Sequence, residues 1–341
     1  MILRGAVRIY ATRCMRTAFR TLATVTISFS CVLFGMLLQT TPAQAGGLKL
    51  SAPITHALEQ AYAGHTAESI HEFQQIEASD PDSPVAYLGE AEARWWQIYC
   101  EACELKWNMI DAWRRPSRDE DQIYLRLTDK TIQLADEHIA RGDSAEMELW
   151  AGMGYLLRAR LLGLRDERRA TAQAGVQGRA RMLRCLQLDP EMVDADAGLG
   201  LYNYYVDTLS GIAKALRFLM GIPGGKRQDG IHQLEIAMRQ GTFTKTEARF
   251  YLAKNMRNYD RDYAMSIEVM SPLAIQYPQN PIYELILGDT EAKLAHWQLA
   301  ATHFRAAVQE ATSDNACAER IRELVHEALR SLPADGNTVA Q

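Results

Sequence analysis

Cys100-Glu101-Ala102-Cys103 is where side-chain type and spacing come closest to covalent chemistry in this 341-residue chain. Two thiols three residues apart can close a disulfide, exchange electrons with another dithiol, or carry a haem. A c-type haem attachment needs histidine directly after the second cysteine, and Glu104 stands there. A redox pair opening a helix needs a strand before it, and no strand pattern precedes Cys100. A structural disulfide, local or to a distant cysteine, or simply buried thiols, is the plainer expectation. The redox use of Cys100 and Cys103 stands as an alternative function.

Aromatic residues crowd the same stretch. Trp95, Trp96, Tyr99, Trp107 and Trp113 fall within nineteen residues. Trp95 and Tyr99 share a helix face, and Trp96 points about 100° away. Such a cluster can grip a peptide or an apolar ligand, or it can fill a core. A second aromatic run, Tyr202, Tyr204 and Tyr205, leads into the apolar stretch 209–220, whose only charges are Lys214 and Arg217. That stretch reads either as a helix lying on a membrane surface or as a buried helix, and its shortness favours burial. Trp95, Trp96, Tyr99, Trp107, Tyr202, Tyr204 and Tyr205 are the candidate partner-binding residues.

Other motifs fail on inspection. His71-Glu72 begins like a zinc-protease helix, but Gln75 stands where the second histidine belongs. Gly221 to Lys226 is one residue short of a phosphate-binding loop, and Arg227 replaces its Ser or Thr. No Ser/His/Asp arrangement is readable locally. We therefore expect no catalytic residues, no metal and no cofactor, and read the chain as a non-enzyme.

The elements that carry these residues are helices. Ala, Leu, Glu, Arg and Gln dominate, the residues that lose least on entering a helix. A period of 34 residues relates 247–280 to 281–314. The second copy reads Leu287-Gly288, Trp297, Ala300, Phe304, Ala307. Small, large and third packing positions recur at Ser69, Phe73 and Ile76; at Gly178, Met182 and Cys185; and at Ser266, Met270 and Leu273. Pro81, Pro190 and Pro278 close three of the four segments, because proline cannot continue a helix. Spacings of three and four hold these side chains on one face. Between 91 and 174 the pattern fails, and helices of irregular length are expected there. Gly221-Ile222-Pro223-Gly224-Gly225 is the strongest break and suggests a bend.

The pattern resembles the tetratricopeptide repeat family, in particular exported bacterial members of it. That resemblance implies an all-α fold, a right-handed α-solenoid of helix hairpins over 46–332, with a concave groove that binds a protein or peptide.

The first 45 residues differ from the rest. Five arginines without an acid precede an apolar stretch, 22–38, and Ala43 and Ala45 end the segment, the layout of a secretory signal peptide cleaved after Ala45, with an uncleaved membrane anchor as the alternative that the short, Ser- and Thr-broken apolar stretch disfavours. Without it, 32 basic face 42 acidic side chains, a net charge of −10. So acidic a chain does not suit nucleic acid, whose binding draws on phosphate neutralisation. Residues 333–341 read as a flexible tail. The expected function is thus a scaffold for a protein or peptide in the periplasm or cell envelope, with a lipid-surface module built on 209–220 as the alternative.

Overall fold

Prolines and polar caps cut this chain into helices. Helices open on Pro84 and Pro281, where the missing N–H would have had no partner. Asn280 caps the helix that begins at Pro281 by accepting from the Ile282 amide at 3.1 Å, and Asp262 caps the one that begins at Tyr263 by accepting from the Met265 amide at 3.1 Å. The computed structural model describes residues 47–219, 221–312 and 317–333; the leader reading of 1–45 and the tail beyond Pro333 lie outside the described residues.

The order is α1 (Ala52–Tyr62), α2 (Thr66–Ser79), α3 (Pro84–Ala102), β1 (Cys103–Lys106), β2 (Met109–Ala112), α4 (Glu120–Arg141), α5 (Ala145–Leu164), α6 (Arg168–Leu188), α7 (Asp194–Thr208) and α8 (Gly211–Leu219). Then come α9 (Arg227–Gln240), α10 (Lys245–Asn255), a π-helical turn (Met256–Asp260), α11 (Tyr263–Gln276), α12 (Pro281–Lys293), α13 (Trp297–Glu310) and α14 (Ala318–Ser331). Among the described residues the chain is helical apart from one hairpin, and helices adjacent in sequence pack side by side, with α8 stepped over. Pro81, Pro190 and Pro278 each stand two residues past a helix end.

The packing positions explain why neighbours fit. Ser69, Phe73, Gly178, Met182, Cys185, Ser266, Met270, Leu273, Ala300, Phe304 and Ala307 are all buried. At Gly288 an added Cβ would lie 2.7 Å from the Phe304 ring, and Gly89 sits closer still on Phe73. Glycine on one helix thus makes the slot that a large residue on the next one fills.

Two regions depart from the expected run of helices. Residues 103–112 form an antiparallel β-hairpin, with Cys103 opposite Ala112 and Lys106 opposite Met109. Residues 209–226 form an excursion. Helices α7 and α9, on either side of it, pack directly on each other, so closely that a Cβ at Gly230 would meet the Gly200 carbonyl at 2.6 Å. The glycine turn therefore lies within this excursion, and the chain from Gly47 onward forms one compact unit. Burial of 209–220 does not hold for Phe218, which is 80% exposed, although Lys214 of the same helix pairs with Asp207 of α7 at 2.9 Å.

Candidate functional site

Helix α3 is the hub of the core. It carries Ala86, Ala91 and Ala93 among its buried residues, so neighbours approach it closely. Trp96 lies edge-on to Phe250 of α10 at 4.9 Å between ring centres, to Tyr283 of α12 at 6.0 Å and to Tyr62 of α1 at 6.1 Å. These are favourable aromatic geometries. Tyr62 also joins early and late chain: its carbonyl accepts from Asn280 Nδ2 at 2.8 Å and from the Tyr283 hydroxyl at 3.2 Å. Tyr62, Trp96, Phe250 and Tyr283 fill the interior here.

Two buried charge clusters brace this interior. In the first, Arg160 of α5 donates from Nη2 to Glu92 Oε2 at 2.7 Å and to the Tyr124 hydroxyl at 3.2 Å. Its other terminal nitrogen pairs with Glu247, and the guanidinium lies 4.2 Å over the Trp95 ring. One cation therefore ties α3, α4, α5 and α10 together. Burial, and then the nearby Glu92 charge, push the Glu247 carboxyl up to about 8 against the pull of Arg160.

In the second cluster, Asp111 of β2 accepts from the Tyr99 hydroxyl at 2.9 Å and from Asn258 Nδ2 at 2.5 Å, and pairs with Lys254 at 2.9 Å. Burial alone would raise this carboxyl; Lys254 and Arg257 outweigh burial and hold it below its usual range. Arg257 is fully buried. Its Nη2 donates to the Ile110 carbonyl at 2.7 Å, and its Nη1 lies 3.1 Å from Asp289 of α12. The π-helical turn supplies both Arg257 and Asn258, and a left-handed residue, Arg261 (φ 57°), ends it. Insertions of this kind re-aim side chains within a helix, and here they aim at the hairpin. Two cavities open elsewhere: one of about 160 Å³ beside Trp96 and Gln97, and a shallow polar one at Asn203, Asp229 and His232. Both charge clusters act as internal braces.

Of the expected partner-binding residues, Trp95, Trp96, Tyr99, Tyr202 and Tyr204 are buried, and Tyr205 is half-buried. The tyrosines fasten α7. Tyr202 donates to the Pro223 carbonyl at 2.9 Å, Tyr204 to Asp260 Oδ2 at 2.6 Å, and Tyr205 to Asn255 Oδ1 at 2.9 Å. Their rings serve packing because the hydroxyls find internal acceptors. Trp107 is the exception. It stands at the apex of the hairpin, 83% exposed, edge-on to Trp113 at 4.9 Å. Trp107 and Asn108 both have positive φ, 49° and 59°, the two-residue turn whose twist matches the strands. That conformation suits Asn or Gly, and a tryptophan in it is a local outlier.

Cys100 is bonded to Cys317 at the start of α14, with Cα atoms 5.9 Å apart, which takes it out of any pair with Cys103. Cys103 turns into β1 as a separate buried thiol, pushed up to about 12 by burial and by Asp111. Cys185 is a buried thiol at its packing position, likewise pushed up to about 12 by burial.

Sequence reasoning did not single out Glu92, Asp111, Arg160, Glu247, Lys254, Arg257 or Asp289. Charged residues are common on helices, and only the three-dimensional meeting of distant segments marks these as internal. The hairpin carried a faint signal in the apolar alternation of Leu105 and Ile110 around Trp107-Asn108, without the glycine that usually announces such a turn.

No protein-family model matches the chain, and no curated protein matches it.

Proposed function

We propose that this protein is an exported, non-catalytic scaffold of the tetratricopeptide type, a right-handed solenoid of helix hairpins. It holds a protein or peptide partner in the periplasm or at the cell envelope, with Trp107 as the main contact. One observation carries the reading: a tryptophan held out at 83% exposure, in a backbone conformation that tryptophan disfavours, on a hairpin anchored to a braced core. Exposed tryptophan is costly in water and is the residue type most often dominant in binding. Export rests on the leader pattern, and a disulfide between Cys100 and Cys317 fits an oxidising compartment.

The test compares proteins bound to wild type and to Trp107→Ala, with Leu299→Ala as a control at another exposed apolar site. Binding lost in the first variant and kept in the second supports the reading. An unchanged set of bound proteins in Trp107→Ala removes it.

A second reading is favoured by α8. Phe218 is 80% exposed on this excursion, an apolar tip that suits contact with a membrane surface, while Lys214 beside it pairs with Asp207 at 2.9 Å and Arg217 donates to the Ile222 carbonyl at 3.0 Å. No helix among the described residues is long and apolar enough to cross a membrane, so this contact is interfacial. Flotation with vesicles containing anionic lipid that Phe218→Asp abolishes would support it; absence of flotation by wild type removes it.

A further inference from the structure

Cys100 lies in the last turn of α3 and Cys317 immediately before α14, 217 residues apart in sequence. The bond between them fastens the final described helix to the hub of the core. Arg320 of α14 adds a polar tie to this region, donating from Nε and Nη2 to the Cys103 carbonyl at 2.8 and 2.7 Å. The disulfide is not sealed in. Both cysteines line the cavity of about 160 Å³, whose other walls include Thr66, Trp96, Gln97 and Glu101. That volume admits a molecule of a few heavy atoms. Glu101, at its rim, is exposed, so the cavity communicates with solvent. Both residues are largely buried, Cys317 at 9% exposed and Cys100 at 1%, so of the two Cys317 lies nearer to solvent. Cys103 and Cys185 are buried and their thiols are held protonated, so neither competes for the bond at neutral pH.

We propose that Cys100–Cys317 is a thiol-exchange site at which a low-molecular-weight thiol, entering through this cavity, unlatches α14 from α3. The thiolate of the small thiol attacks Sγ of Cys317. A new S–S bond forms between them as the Cys100–Cys317 bond breaks, and the Cys100 sulfur leaves as a thiolate that takes a proton from water. A second small thiolate attacks the sulfur that the first one donated. This releases the Cys317 thiolate, which is protonated, and a small-molecule disulfide. Two small thiols are oxidised and one protein disulfide is reduced.

The probe is 2-mercaptoethanol, applied to the full-length folded protein without denaturant. The expected intermediate is a single mixed disulfide on Cys317, found by mass spectrometry in the tryptic peptide spanning 306–320. Full reduction makes Cys100 and Cys317 newly alkylatable, each identified by its tryptic peptide, with Cys103 and Cys185 unlabelled. The rate stays flat across urea concentrations below the unfolding transition. Gln97→Trp, which fills the cavity from its wall, slows reduction at least tenfold at an unchanged unfolding midpoint. Should that variant misfold, the same discrimination comes from probe size: 2-mercaptoethanol reacts with the native protein, and a thiol on a bulky polymer does not. In the reduced protein, trypsin cuts at Arg320 and Arg322, which the oxidised protein protects. Reduction that rises with urea as the protein unfolds would overturn the proposal. So would an adduct on Cys100, equal rates for small and bulky thiols, or unchanged protection of Arg320 and Arg322 after reduction.

Discussion

The sharpest consequence of the Arg160 cluster concerns Glu247. Two carboxylates, Glu92 and Glu247, share one guanidinium in a buried site, and Glu247 is pushed from an ordinary 4.5 up to about 8, first by burial and then by Glu92. The folded protein therefore holds a proton on Glu247 more tightly than the unfolded chain does. A group raised in this way contributes stability that is fully present below about 4.5 and is lost as pH rises from there through about 8. At 1.36 kcal/mol per pH unit, the loss is on the order of 5 kcal/mol at most. Glu247→Gln replaces the protonated acid by a neutral amide that can still accept from Arg160. We expect this variant to match wild type within about 1 kcal/mol near pH 5 and to exceed it by several kcal/mol near pH 9. Urea unfolding followed by tryptophan fluorescence at pH 5, 7 and 9 reads the difference directly. Glu77 and Glu310 are also raised to about 8, the first by burial and Glu90, the second by burial and Glu284, and they add to the absolute slope. The comparison must therefore be between the two proteins, where those contributions cancel. If Glu247→Gln is destabilised equally at all three pH values, Glu247 is an ordinary ionised partner of Arg160 and the reasoning fails.

Other outcomes follow from the same structure. Arg257→Leu strips buried Asp289 of its guanidinium partner and removes the donor to the Ile110 carbonyl, and should cost about 3–5 kcal/mol in thermal or chemical unfolding. Gly288→Ala places a Cβ against the Phe304 ring and should cost about 1–3 kcal/mol, whereas Gly142→Ala meets open space and should not clash. Trp107→Asn relieves a left-handed tryptophan and should leave stability unchanged or raise it by up to about 1 kcal/mol while weakening partner binding. A loss of several kcal/mol in that variant would show that Trp107 supports the fold.

The sequence by itself determined the helices and much of their pairing. Helix ends at Pro81, Pro190 and Pro278, and buried faces at Ser69-Phe73 and Ala300-Phe304-Ala307, follow from local rules: proline blocks the backbone, and spacings of three and four select one face. The partner of each sulfur was not legible, because Cys100 meets Cys317 only once 217 residues have folded back. Nor was the fate of the aromatic cluster. Trp96 is core and Trp107 is surface, although both belong to one tryptophan-rich stretch, because α3 is enclosed by helices from both ends of the chain while the hairpin projects from it. The two charge clusters have the same origin. Glu92, Arg160 and Glu247 are ordinary residues of three helices until those helices converge, and only their shared burial turns them into a brace. Periodicity reports what a helix offers to its neighbours, and which neighbours arrive is decided by tertiary closure.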